Sequence, residues 1–221
     1  MYNRLLNRED LESFKEEIQK QNYSERFPHM DQWYKEDAIL KYFSVLNEFQ
    51  SLKKTNLRVV DLGCDRGCVP HIISSWGNDV TAIDLNNIDH WCTGSLVKMV
   101  LNDALVEMKG MKDASVDVFT DICAVTHFNT NYTDKVNNIG LKEVSDEVYR
   151  VLKSGGRFMI SSDIDLSKEK GEFISSQSMI DVVESSGLKL TSKYKKEYEN
   201  SNFCNHYNDM NLYVACLVFE K

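Results

Sequence analysis

Val59-Val60-Asp61-Leu62-Gly63-Cys64-Asp65-Arg66-Gly67 is an apolar run that ends in an acid and breaks into a turn holding two glycines. Branched residues followed by Asp61 suit the last part of a buried parallel strand, and Gly63 lets the backbone turn sharply and approach a ligand with no Cβ in the way. A helix is expected directly afterwards. Val69, Ile72, Ile73 and Trp76 have helix-compatible spacing, Pro70 is tolerable in a first turn, and Gly77 is placed to end the helix. Strand, glycine turn and helix together make a nucleotide pocket. About twenty residues on, Asp79 to Asp84 reads as a second short strand ending in an acid, and a carboxylate at that distance can accept both hydroxyls of a ribose.

Dinucleotide-binding folds share this half, but they prefer Gly-x-Gly-x-x-Gly, because a pyrophosphate lies against the helix N-terminus. Here Asp65 stands between Gly63 and Gly67, and an added acid would repel a pyrophosphate. S-adenosylmethionine has no phosphate and carries a sulfonium cation, so a pocket containing Asp61, Asp65 and Asp84 suits it better.

With these residues the chain resembles the class I S-adenosylmethionine-dependent methyltransferases, and four further segments follow in the family's order. Ile83-Asp84-Leu85 looks like its ribose-binding acid, and Leu101-Asn102-Asp103-Ala104 like its adenine-binding segment. Val116 to Phe128 looks like its fourth strand and catalytic loop, and Leu152 to Phe158 like the turn before its fifth strand. The likeness covers roughly residues 57 to 163; the stretch 176 to 221 fits the family's last helix and strands less distinctively.

The resemblance implies an α/β fold. Its expected form is a doubly wound, mostly parallel seven-stranded sheet with helices on both faces and an antiparallel last strand, preceded by N-terminal helices. For the cofactor, S-adenosylmethionine, Asp61 would orient the methionine part, with Gly63, Cys64 and Gly67 forming the turn around it. Asp84 would take the ribose hydroxyls and Leu85 would lie on one face of adenine. The Asp103 carboxylate would accept from the adenine amino group and the Ala104 amide would donate to the ring. From the residues alone, a helix or turn cap is the alternative reading of Asp103. Two departures from the family stand out. Asp65 replaces a glycine, although Asp tolerates left-handed backbone angles better than most residues. Asn86 to Gly94 shows no helical repeat where the family has a full helix, so an irregular loop is expected there.

A chain of 221 residues with 42% hydrophobic residues is read as one domain, with residues 1 to 56 as an N-terminal helical lid segment and 57 to 221 as the core. Pro28 and Pro70 are the only prolines, and no tract rich in Ser, Gly or Pro marks a linker. No apolar run has membrane-spanning length and no signal segment opens the chain, so a cytoplasmic location is expected. The net charge of −8 weighs against nucleic acid as a partner. Among six cysteines there is no Cys-x-x-Cys pair, and Cys204 with His206 lacks a matching pair of ligands, so no metal is assigned.

Two amphipathic helices precede the core. Leu11, Phe14 and Ile18 share a face of the first, Ile39, Phe43 and Leu46 a face of the second, and the charged opposite faces read as solvated. Exposed apolar residues on these helices would equally suit a homodimer. Between them, His29, Trp33 and Tyr34 lie in an aromatic connection that reads either as a lid near the substrate or as packing of the second helix on the sheet.

A methyl sulfonium is already activated, so the protein must place a nucleophile in line, exclude water and, for a hydroxyl acceptor, remove its proton. Ligands in open α/β sheets lie at the carboxyl ends of strands, which makes Asp121 and His127 the catalytic candidates after the strand Asp117 to Cys123. His127 has the intrinsic pKa of a base near neutral pH, while Asp121 would instead hold the methionine ammonium. Thr126 precedes this histidine where similar enzymes often carry a Glu. O-methylation of a small polar acceptor such as a sugar or sugar-linked metabolite is the first expectation. N-methylation of a small amine and a non-catalytic cofactor-binding partner subunit are the alternatives.

Overall fold

The computed structural model describes residues 3–27, 35–86, 96–124, 138–165, 175–195, 204–207 and 210–221. In chain order the elements are β1 (Arg4–Leu5), α1 (Arg8–Lys20), α2 (Tyr23–Arg26), α3 (Glu36–Ser51), β2 (Arg58–Leu62), α4 (Val69–Ser75), β3 (Asp79–Asp84) and β4 (Lys98–Leu101). They continue with α5 (Ala104–Gly110), β5 (Val116–Ile122), α6 (Asn138–Val151), β6 (Leu152–Asp165), α7 (Ser176–Glu184), β7 (Lys189–Leu190), β8 (Cys204–Tyr207) and β9 (Met210–Glu220).

Alternation along the strands divides the core between the two faces of one sheet. Val59, Val118, Met159 and Val218 point to the face covered by α1, α3 and α4. Their neighbours Val60, Phe119, Phe158 and Leu217 point to the face covered by α5, α6 and α7. Strands β4, β3, β2, β5 and β6 are parallel neighbours in that order, and β9 closes antiparallel on β6 over nine residue pairs, from Arg157 opposite Glu220 to Asp165 opposite Leu212. From β2 the chain winds outward to β4 and then returns to β5 on the other side of β2. The strand order therefore reverses between β2 and β5, and a crevice opens beyond their carboxyl ends, the usual ligand position in such sheets.

The doubly wound α/β reading, with its antiparallel last strand and N-terminal helices, holds. The main path β1-β9-β6-β5-β2-β3-β4 has seven strands, and β7 and β8 add to it by pairing with β9, giving nine in all. β1 is only two residues long, too short to leave a pattern. It is held by Asn3, whose side-chain NH2 donates to Thr191 and Ser192 and whose side-chain Oδ1 accepts from the Val218 N–H at 2.7 Å. The fifth parallel strand, β6, starts at Leu152, inside the stretch read as a turn. Leu152 pairs with Val116, the register then shifts, and Gly155 sits at φ +73 with its N–H bonded to the Lys221 carbonyl. Where the resemblance implies a turn before this strand, Gly155 and Gly156 instead lie in an irregularity inside β6.

The N-terminal helices join the main core. Leu11, Phe14 and Ile18 of α1 are buried as the spacing predicts, and the helix starts in a capping box in which Asn7 and Asp10 satisfy each other's backbone N–H. Helix α3 departs from the reading: its polar face is not solvated. Lys41, Ser44 and Glu48 are buried along with Ile39, Phe43 and Leu46. Lys41 Nζ lies 3.1 Å from Asp37 and 2.9 Å from Asp163, and Glu48 faces Arg157 at 3.5 Å. Packed between α1 and the sheet, α3 can bury these groups because each charge has a partner.

Candidate active site

The turn after β2 is built on the carbonyl of Ile83 in the neighbouring strand, which accepts from both the Gly63 N–H at 2.9 Å and the Cys64 N–H at 3.2 Å. Gly63 has φ +61, and a Cβ there would fall 2.2 Å from the Cβ of Ala124, just past β5. Only glycine lets the two strand ends meet so closely. Asp65 adopts φ +38, the left-handed geometry for which Asp is a tolerable substitute, and Gly67 closes the turn through its N–H to the Cys64 carbonyl at 2.9 Å.

Asp84 ends β3 beside this turn. Its Oδ2 accepts from the Asp65 N–H and its Oδ1 from the Asn86 N–H, both at 2.8 Å, so the carboxylate is fixed while each oxygen keeps a second lone pair for a ligand. Next to it lies an apolar ledge. Leu85, Leu101 and Val106 are 67%, 61% and 58% exposed, and Leu101 is the register partner of Asp84. Three large apolar side chains left in water beside a fixed carboxylate suit a flat heterocycle joined to a ribose. Asp103 caps α5, with Oδ1 accepting from the Leu105 and Val106 N–H groups at 2.8 and 3.1 Å, and Ala104 opens that helix, buried.

Beneath the turn, the buried Asp61 carboxyl accepts a short hydrogen bond from Thr120, its register partner on β5. Burial pushes this carboxyl up to about 7, with the nearby Asp84 charge adding to the rise and the Thr120 bond opposing it. The unfolded chain gives up the proton near the usual carboxylate value, whereas the folded site keeps it. The stabilisation present below that value is therefore lost as pH climbs through about 7. Chemical denaturation across about pH 4 to 8 should show the stability difference between Asp61→Asn and the native protein shifting in favour of the variant as pH rises. A constant difference would contradict this origin.

Asp121, fully buried on β5, accepts from the Ala124 N–H at 3.2 Å, and Cys123 between them sits at φ +60. This left-handed turn brings Ala124 against Gly63. The Cys123 thiol donates to Asp163 at 3.3 Å, and burial raises it to about 11, so it stays protonated at neutral pH.

Thus Asp61, Gly63, Cys64, Gly67 and Asp84 come together around one turn, Leu85, Asp103 and Ala104 line the next two strand ends, and Asp121 stands on the other side of the switch point. His127, His29, Trp33 and Tyr34 lie outside the described residues, as does most of Asn86 to Gly94. Sequence reasoning placed Leu101 in the adenine-binding segment without a role of its own, and it did not select Lys41, Tyr42 or Cys123. These three carry no local signal, since their partners are distant in the chain.

Residues 60–160 match a family described as a methyltransferase domain. Over these residues the chain carries a methyltransferase domain. Solved structures with this fold include a 1,6-didemethyltoxoflavin-N1-methyltransferase from Burkholderia thailandensis, holding S-adenosylhomocysteine (15% identity, TM-score 0.59, covering 94% of this chain and 86% of that one). A TehB-like S-adenosylmethionine-dependent methyltransferase from Corynebacterium glutamicum shares 18% identity with a TM-score of 0.55, covering 92% and 98%. The [4+2]-cyclase SpnF shares 11% identity with a TM-score of 0.63, covering 87% and 84%. No curated protein matches the chain in sequence. The methyltransferase takes S-adenosylmethionine as its cofactor, and the turn that a Cβ would fill, the fixed Asp84 and the apolar ledge fit that molecule. Among the described residues, no helix of this methyltransferase is long and apolar enough to cross a membrane, and no three His, Cys, Asp or Glu side chains cluster as a metal site would require.

Proposed function

We propose that the enzyme O-methylates a small polar acceptor, such as a sugar or sugar-linked metabolite. The cofactor would supply an activated methyl group. Asp84 would hold the ribose hydroxyls and Leu85 a face of adenine. Oδ1 of Asp103 serves as the helix cap, which leaves Oδ2 for the adenine amino group, with the Ala104 amide donating to the ring. Gly63, Cys64 and Gly67 would admit the methionine part, Asp61 would shape the turn from below, and Asp121 would hold the ammonium.

The observation that carries the O-methylation reading is the turn at Cys123 and Ala124. Ala124 rests on Gly63 at the cofactor turn, and His127 comes three residues later in the sequence. There it would take the acceptor's proton. The acidic surroundings of Asp121, Asp163 and Asp37 favour a second reading, N-methylation of a small amine, which needs no histidine base. His29, Trp33 and Tyr34 would wall the acceptor in either case.

Transfer of labelled methyl groups to a panel of hydroxyl and amine acceptors separates the two. His127→Asn should cut turnover of a hydroxyl acceptor about 100-fold or more. Undiminished hydroxyl turnover, or an enzyme that methylates only amines, would overturn the first reading.

A further inference from the structure

We infer that Tyr42 of α3 is a cofactor-binding residue whose hydroxyl donates to the carboxylate at the amino-acid end of S-adenosylmethionine, an inference that rests on the glycine turn being the cofactor loop. A Cβ placed on Gly67 would lie 3.8 Å from Cε1 and 3.9 Å from the hydroxyl oxygen of Tyr42, so the hydroxyl edge of the ring meets the second glycine of the turn. The same ring lies within electrostatic reach of the neutral Cys68 thiol and the Asp65 carboxylate of the turn, of the neutral Cys123 thiol past β5 and of the Lys41 ammonium. It therefore stands between the two walls of the crevice at the switch point. Burial raises the phenol well above its ordinary value, which keeps it a neutral O–H donor. Among the described residues this hydroxyl makes no hydrogen bond.

The helix is pinned in the rotation that aims it there. Lys41 bridges Asp37 at 3.1 Å and Asp163 at 2.9 Å, and Asp163 in turn receives the Cys123 thiol at 3.3 Å. Neighbouring helical residues point about 100° apart, so anchoring Lys41 at the ends of β5 and β6 directs Tyr42 over the turn.

Chemistry supplies the reason for a donor at this point. An amino-acid carboxylate entering here meets Asp61, Asp65, Asp121 and Asp163. Four amides of the turn are already used, those of Gly63 and Cys64 by Ile83, that of Asp65 by Asp84 and that of Gly67 by Cys64. Lys41 is already shared between two aspartates. A neutral hydroxyl adjoining the turn answers that shortage and also reads the ligand's amino-acid end.

Calorimetric titration with S-adenosylhomocysteine and with 5′-methylthioadenosine tests this, because the second ligand keeps the adenosine and the thioether but lacks the amino acid. Tyr42→Phe should weaken S-adenosylhomocysteine about tenfold and leave 5′-methylthioadenosine unchanged, the latter also reporting that the variant is folded. Unchanged S-adenosylhomocysteine affinity, or equal weakening of both ligands, would overturn the assignment in favour of a ring that only packs. A native protein that binds neither ligand would instead remove the cofactor reading on which the assignment stands.

Discussion

Asp84→Ala should weaken S-adenosylhomocysteine binding at least about 100-fold while the protein stays folded. The carboxylate is held by two backbone N–H groups at 2.8 Å, so it needs no reorganisation to meet a ribose. Hydrogen bonds to a charged acceptor contribute about 1.5–3 kcal/mol each, so losing two removes about 3 kcal/mol or more, which is more than two decades of affinity. A second effect acts in the same direction. Without the Oδ2 acceptor, the Asp65 N–H loses its partner and the left-handed turn its clamp. Calorimetry gives the affinity, and a thermal melt of the unliganded variant shows that the loss is local. A variant that binds within a few-fold of the native protein would place the ribose elsewhere.

Gly63→Ala should be at least as damaging, and for a different reason. Its Cβ would lie 2.2 Å from the Ala124 Cβ, and neither atom belongs to a side chain that can rotate away. The turn and the end of β5 must separate. Left-handed strain of about 1–3 kcal/mol adds to overpacking of about 1–3 kcal/mol, so denaturation should report a loss of about 2–6 kcal/mol. Cofactor binding should fall beyond measurement. Gly77→Ala is the control: Gly77 has φ +82, but a Cβ there meets nothing within 4 Å. It should cost about 1–2 kcal/mol of stability from backbone strain and leave affinity intact. Equal effects of the two substitutions on binding would mean that the contact with Ala124 does not shape the cofactor site.

What was legible in the sequence was whatever is encoded over short distances. β2, its glycine turn, α4 and the acid ending β3 follow within one stretch of chain, and each leaves a spacing that strand and helix geometry explain. The left-handed Asp65 was readable for the same reason, since one residue type and one turn decide it. Long-range pairing was not readable. Lys41, Ser44 and Glu48 look like a solvated stripe because nothing nearby announces that Asp163, Ser161 and Arg157 neutralise or bond them from residues more than a hundred positions away. Tyr42 was hidden with them, for its place over Gly67 follows from how α3 is clamped to the sheet. β1 and the early start of β6 depend on Asn3 reaching Thr191 and Val218 and on Gly155 reaching Lys221, contacts that carry no periodicity. The dual reading of Asp103 ended as a cap at one oxygen, which leaves the other for a ligand.

The most direct test of the central claim is a crystal structure of the protein with S-adenosylhomocysteine. The account predicts both ribose hydroxyls on Asp84, adenine on the ledge of Leu85, Leu101 and Val106, and the amino-acid end at the turn from Gly63 to Gly67. An adenosine lying away from the end of β3, or a crystal grown in saturating ligand with no nucleoside at this crevice, would contradict it.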